Sequence, residues 1–453
     1  MRINEIERLR EEIEKLRKEN EELKHELEKT RKEKEEIEKK YEEYKMRHPE
    51  TVGVKHGKPY FIKPSKIISQ TPKKPGARKG HKPCFRPMPK HIDKVQRIPI
   101  EVCPDCGGTN LSENVQEIRE RTFEDIPICT PIAIKLEIER KYCRNCKKLV
   151  ETTVTNVLPG ARLSLRIMLI VVWLKIGLRM TEEAIPELLH KLFGLKISEG
   201  EVIHILAQVA KAFGPYYKQL IHHIRNAPAR HIDETSWRIN GENVWLWAFV
   251  TQGEALYKIA SGRSHDVPLG ILGEKHNGVD IHDRFSIYKT LASKTKNLQQ
   301  DCWAHIINNA KELAGFYGTD GEYILKTLKE TYKIAKGFNH KGTDEDITKL
   351  YMDMVDKLDK PYKSMHCHKF VVNLLGEKDN LFQFVKNPDV EPTNNRVERA
   401  LRHSVIARKI SGGSRSEKGL RIYETLKSVF HTLSLRGEDL LLNGPRILQT
   451  SHG

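Results

Sequence analysis

The chain has no apolar run long enough to cross a bilayer. Its longest, Ile167 to Leu174, is eight residues and ends at Lys175, against the ~20 that a helical span needs. The opening residues, Met-Arg-Ile-Asn-Glu-Ile-Glu, lack the apolar core of a signal peptide. A soluble, cytoplasmic protein is the expectation, without a membrane partner. Cysteine is scarce, with eight in 453 residues. Four of the eight fall in two Cys-x-x-Cys pairs, which argues for metal and against a disulfide scaffold. Two local absences mark segments. Residues 1–47 contain no Gly or Pro, and residues 54–99 contain a single acid, Asp93.

What the chain has in excess is positive charge, +17 net, with 31% charged and 38% apolar residues. That is enough apolar content for real cores, in about three domains by the usual prior of roughly 150 residues each. The charge makes nucleic acid the first partner class to test.

Residues 1–47 repeat every seven. With Ile6 at position a, the a series is Ile6, Ile13, Asn20, Leu27, Lys34, Tyr41, and the d series is Leu9, Leu16, Leu23, Thr30, Ile37, Tyr44. This predicts a coiled coil, weaker after Leu27. In a parallel dimer the facing charges Glu5–Arg10, Glu12–Arg17, Glu19–Lys24 and Glu26–Arg31 attract, and only Glu33–Glu38 repel. Asn20 in the seam favours a parallel, in-register homodimer. A solvated helix or an antiparallel hairpin is the alternative.

Residues 48–99 form a basic arm. Thirteen Lys or Arg lie between Val54 and Pro99, so this stretch holds +12 of the net +17. It has too little apolar surface to fold alone. Lys73, Lys74, Arg78, Lys79 and Lys82 are candidates to neutralise DNA phosphates. In residues 100–150, Cys103/Cys106 and Cys143/Cys146 fit two turns that each aim two thiolates at one structural Zn²⁺. A strand is predicted over Ile132–Tyr142, and the whole reads as a zinc ribbon. Cys84 with His81 is a substitute ligand pair, and Cys129 reads as a strand residue. Residues 151–228 read as helical. One helix runs Thr181–Phe193 and stops at Gly194. Ser198 and Glu201 open the next as a capping box, and Gly214-Pro215 ends or kinks it. The pair is either a DNA-reading helix-turn-helix or a plain helical hairpin.

Asp233 closes a predicted strand, followed by a buried strand at Val244–Val250 and another at Leu256–Ala260. A helix over Asp266–Gly273 and a strand ending in Asp283 come next. This is the order of a ribonuclease-H-like domain. There the first and fourth strands are neighbours, so Asp233 and Asp283 would lie side by side. Two carboxylates this close repel unless a divalent cation sits between them, as a two-metal phosphoryl-transfer site needs. Asp280 is a rival, but period two turns it to the other face from Asp283. Glu398 is a third acid, with Arg402 and Lys409 on the same helical face. It is equally the capping-box partner of Asn395. A helical insertion is predicted over roughly residues 311–388, and His366-Cys-His368 inside it reads as surface.

Taken together, Lys73–His81, the two cysteine pairs, His231-Ile-Asp-Glu-Thr235, Cys302-Trp-Ala-His305 and Asn394-Asn-x-x-Glu398-Arg-Ala-Leu-Arg402 resemble the DDE transposases of the insertion-sequence-66 type. Arg408-Lys409 and Gly413-Ser414 extend the likeness, which covers nearly the whole chain. The resemblance implies that Asp233, Asp283 and Glu398 are an acidic triad for two Mg²⁺ (or Mn²⁺) ions. It implies a nucleoid-associated enzyme that binds element ends and target DNA, then cleaves and joins strands, with accessory proteins as possible partners. Arg402, Arg408 and Lys409 become candidate phosphate contacts, and Cys302 and His305 either shape the site or are a packed Cys and a core His. One departure is that the second acid stands in His282-Asp283-Arg284-Phe285, where the family usually has Asp-Gly-Tyr. A DNA-bridging relic and a nuclease that cuts without joining are the rivals.

The expected fold is therefore multidomain α+β. It comprises a coiled coil (1–47), basic arm (48–99), zinc ribbon (100–150), helical domain (151–228), ribonuclease-H-like α/β catalytic domain with its helical insertion (229–435) and a C-terminal tail (436–453).

Overall fold

The computed structural model describes residues 87–448 except 153 and 275–277, the helical backbone on to 450, and isolated positions before 87. Nearly all of the predicted coiled-coil seam lies outside the described residues, as do Lys73, Lys74, Arg78, Lys79, Lys82, His81 and Cys84. Among the described N-terminal positions, Glu14, Lys18, Asn20, Glu21, Lys24, His25, Glu28 and Lys32 are helical and exposed. The chain divides into two units at Glu124/Asp125.

In the first unit, a turn at Cys103–Cys106 closes with Gly107 N–H on Cys103 O and Cys103 N–H on Gly108 O, both at 2.9 Å. The second unit opens with a hairpin of β1 (Arg140–Cys143) and β2 (Lys148–Glu151). The predicted strand from Ile132 is shorter than the pattern suggests, and Cys129 lies outside any strand. Ile132, Ile134, Leu136 and Ile138 alternate as strand residues do, yet all are exposed. Alternation specifies a face but does not supply a partner.

Four helices follow: α1 (Leu165–Val172, continued by a π-turn Trp173–Gly177), α2 (Ala184–Phe193), α3 (Glu199–Ala212) and α4 (Gly214–Asn226). Their ends follow the sequence signals. Gly194 caps α2 in the left-handed region at φ 69°, and Ser198 accepts the Glu201 N–H at α3. Pro215 sits in the first turn of α4, where no N–H is needed.

The sheet contains β3 (Ala229–Ile239), β4 (Glu242–Val250), β5 (Ala255–Ala260), β6 (Val279–His282) and β7 (Leu298–Asp301), in the order β5-β4-β3-β6-β7. The first three strands are antiparallel, and β6 and β7 run parallel to β3. Helix α5 (Asp266–Leu272) leads to β6, and α6 (Ser286–Thr295) joins β6 to β7. Asp233 is inside β3 rather than at its end. The strand continues to Ile239 because Asn240 (φ 47°) and Gly241 (φ 87°) form a two-residue turn that returns β4 alongside it.

Both faces of the sheet are covered. Ile232, Trp247, Phe249 and Leu256 face the core built by α1–α4, so the helical segment shares its core with the sheet. Leu246, Ala248, Val250 and Tyr257 face α11 (Asn395–Ser411) and α12 (Glu417–Leu435). Between β7 and α11 comes a helical insertion: α7 (Trp303–Gly337, broken at Tyr317–Gly318), α8 (Asp344–Leu358), α9 (Met365–Leu375) and α10 (Gln383–Lys386). It has its own core around Trp303, Leu328, Met354 and Phe382, which reaches the sheet at Ala229, Val279 and Ile281. Within α9, Cys367 is buried while His366 and His368 are exposed. Residues read from sequence as a tail contain α13 (Leu440–Thr450), whose Leu440 and Leu448 join the first core. The fold is thus mixed α+β. Among the described residues, no helix is long and apolar enough to cross a membrane.

Candidate active site

Parallel pairing of β3 with β6 sets the site. Ala229 is opposite Val279, Arg230 opposite Asp280, and His231 opposite Ile281. Asp233 follows two residues further along β3, and Asp283 follows the end of β6 at His282. Asp280 falls on the other face. There it is fully buried, ion-paired to Arg230 Nε at 2.5 Å and bonded by Asn297 Nδ2 at 3.2 Å.

The acids near Asp233 act on it strongly. Burial raises the Asp233 pKa well above the usual carboxylate range, and Glu234, Asp283 and Glu398 each push it further up. Asp283 is raised by burial and by Glu234, against the Phe285 N–H on its Oδ1 at 3.2 Å and the nearby His305 and Arg263. A desolvated acid among acids resists ionisation until positive charge arrives.

Glu398 comes from the first turns of α11. The helix starts at Asn395 with Asn394 as its cap, so Glu398 is its fourth residue rather than a capping-box third. The capping-box alternative is therefore not realised. Instead Glu398 Oε1 lies 3.7 Å from His305 Nδ1, and both side chains are 40% exposed. Cys302 Sγ, a His305 ring nitrogen and a Glu398 oxygen all lie within 4.8 Å of one another. Cys302 is the N-cap of α7 and is buried.

Sequence reading missed two supports. The first is Asn394, fully buried. Its Nδ2 donates to Ile232 O at 3.0 Å, its Oδ1 lies 3.2 Å from His231 Nδ1, and its backbone N–H reaches Cys302 Sγ at 3.1 Å. Three motifs far apart in the chain thus meet at one junction that fixes the start of α11. Burial pushes the His231 pKa down to about 4, so the imidazole is neutral there. The second is Glu234, on the opposite face of β3. It accepts from Arg263 Nε at 2.6 Å and from the Tyr288 hydroxyl at 2.9 Å, while Arg263 stacks on Phe285 and Trp245. The available signal was period two: beside Asp233 in a two-sided strand, an acid must enter the core and find a cation.

The basic candidates on α11 differ. Arg402 and Lys409 are exposed. Arg408 donates through Nη1 to the Ser236 carbonyl and hydroxyl, tying α11 to β3. Gly413-Ser414 extends β3 by one bridge. Ser414 N–H donates to Arg238 O at 2.9 Å, and a Cβ on Gly413 would stand 2.5 Å from that oxygen. Helix α3, the candidate recognition helix, presents Glu199 and Glu201 in its first turn, which would face phosphate with the wrong charge. Each cysteine pair forms a thiol-holding turn. N–H groups of Cys106 and Asp105 lower the Cys103 thiol, and the Cys146 N–H, 3.4 Å from Cys143 Sγ, lowers that of Cys143.

The model of the family described as Transposase IS66 family matches residues 160–422. That is more than half of the 453-residue chain, and the chain belongs to this family. It is also 22% identical over 403 residues to Uncharacterized protein y4hP of Sinorhizobium fredii (strain NBRC 101917 / NGR234), covering 79% of this chain and 72% of the relative.

Proposed function

We propose that the chain is a DDE transposase that binds the ends of a mobile element, frees their 3′-hydroxyls and joins them to target DNA. The observation that carries this reading is the convergence on Asp233. Acids from beyond β6 and from α11 both act on it, across a mixed five-stranded sheet in the order β5-β4-β3-β6-β7, which supports the ribonuclease-H-like reading.

Asp233, Asp283 and Glu398 would hold the metal. Three oxygen donors suit Mg²⁺ or Mn²⁺, and two desolvated carboxyls need positive charge before they ionise. When bound, two such ions would activate water or a 3′-hydroxyl and stabilise the attacking and leaving oxygens of an in-line displacement. The Glu234–Arg263–Tyr288 brace holds β3 from behind, so Asp233 keeps its direction. Asn394 fixes the turn that delivers Glu398. Arg402 and Lys409, both exposed on α11, would bind backbone phosphates, while Arg408 positions α11. The reaction needs no covalent protein–DNA intermediate, so no Ser or Tyr nucleophile is assigned. The basic arm adds phosphate contacts, the paired thiols hold zinc, and the heptad segment brings two subunits, and hence two DNA ends, together.

The test mixes protein, element-end duplex, Mg²⁺ and a target plasmid, and compares wild type with Glu398→Gln. Joined products from the wild type alone are expected. Normal joining by Glu398→Gln removes that residue from the triad. Cleavage without joining would make the protein a nuclease, and binding alone a relic.

A further inference from the structure

We infer that Cys302, His305 and Glu398 form a second metal site, suited to zinc, that shares Glu398 with the three-acid centre. The sharing rests on the transposase reading; the zinc site itself does not.

Two buried atoms carry the argument. His305 Nδ1 and Glu398 Oε1 are both inaccessible to solvent and both without a hydrogen-bond partner. They face each other at 3.7 Å, too far for a hydrogen bond. Unsatisfied buried polar atoms are costly and need an explanation. An ion between them supplies one, and the third donor shows which ion. Cys302 Sγ lies within 4.8 Å of both ligand atoms.

A sulfur, a nitrogen and a carboxylate oxygen suit a borderline-soft ion such as zinc and suit Mg²⁺ poorly. Tetrahedral zinc sets such donors about 3.3–3.7 Å apart. The His305–Glu398 pair already meets that spacing, and only the sulfur has to close in. Cys302 and His305 stand one turn apart at the start of α7, so their side chains share a helical face.

The surroundings of Cys302 agree. The backbone N–H of Asn394 donates to its sulfur at 3.1 Å, as an outer-shell donor does around a metal-bound thiolate. Three protein ligands leave the fourth position to water. Occupancy would pin α11 to α7 and fix the direction of Glu398. The oxygen-only ions of the triad would then meet a Glu398 that is already oriented.

The test counts zinc retained by the full chain after dialysis, in wild type, Cys302→Ser and His305→Ala. Any zinc held elsewhere in the chain is common to all three, so each variant should hold one equivalent fewer than wild type. Equal zinc in all three overturns the site. Should Cys302→Ser fail to fold, His305→Ala decides, because that side chain is half-exposed. Cobalt loading tests the sharing: the visible bands of wild type should shift in Glu398→Gln, and unchanged bands remove Glu398 from the ligand set. A chain that binds this zinc yet joins no DNA keeps the site and loses the transposase reading. A chain that joins DNA with no such zinc does the reverse.

Discussion

Lys427 is 2% exposed, with its ammonium 3.3 Å from His403 Nδ1 and 5.5 Å from the centre of the Tyr257 ring. Burial, and then Arg179, push its pKa down to about 7, whereas a lysine in the unfolded chain titrates near ~10.4. Between those values the unfolded chain binds a proton that the folded chain does not, so stability rises with pH across that window. Below about 7 the folded protein carries the full penalty of a buried charge. Lys427→Met should therefore raise the melting temperature most at the acid end and flatten its rise toward pH ~10. Parallel melting curves for wild type and variant across this range would show that burial does not neutralise Lys427. Asn394 is the second residue on which much depends. Asn394→Ala leaves Ile232 O and His231 Nδ1 without their buried partner, at a cost of about 1–3 kcal/mol. Urea unfolding should show that loss, and strand joining should fall further than stability alone accounts for, because the start of α11 loosens. A variant as stable and active as wild type would mean that the junction does not hold Glu398.

At the scale of elements, the contact between α12 and β5 shows what a sequence conceals. Strand β5 is the sheet edge, and its outward N–H groups need partners. Thr432 Oγ1 accepts from Ala255 N at 3.1 Å, Ser428 Oγ from Tyr257 N at 2.8 Å, and Glu424 Oε1 from Ile259 N at 2.6 Å. Four helical residues rise about 6 Å and two strand residues about 6.6 Å, so every fourth side chain of α12 meets every second amide of β5. Ser428→Ala strands one buried amide and should cost about 1–3 kcal/mol, with faster hydrogen exchange at Tyr257. Unchanged exchange there would mean that the edge is protected by something else. In the sequence, Glu424, Ser428 and Thr432 look like one solvent-facing stripe. Only the edge strand opposite makes the stripe internal. By contrast, the β3-to-β6 order is legible, because Val244–Val250 is apolar on both faces and Asn240-Gly241 is a hairpin turn. Asp283 is legible over Asp280 by period two, and Glu234 becomes so once β3 is seen to be buried on both faces. Asn394 is not, since nothing local distinguishes a buried Asn from an ordinary cap.

On the scale of the whole molecule, charge and catalysis are separated along the chain. The arm between Val54 and Pro99 carries +12 of the net +17, whereas the acids proposed as the triad come later: Asp233 in β3, Asp283 just past β6 and Glu398 in α11. Counterion release makes each phosphate contact contribute about 0.9 to the slope of log affinity against log salt. Replacing Lys73, Lys74, Arg78, Lys79 and Lys82 with Gln should reduce that slope by up to ~4.5 if every one of them meets a phosphate. The effect should be much the same on element-end and unrelated duplex, because phosphates carry no sequence. Glu398→Gln should leave the slope as it is while removing joining. Fluorescence anisotropy across a salt series separates the two effects. An unchanged slope in the five-residue variant would place the phosphate contacts elsewhere, with Arg402 and Lys409 on α11 next to be tested. A slope that fell only on element-end duplex would mean that the arm reads bases, and sequence recognition would then belong to this segment rather than to α3, whose first turn carries Glu199 and Glu201.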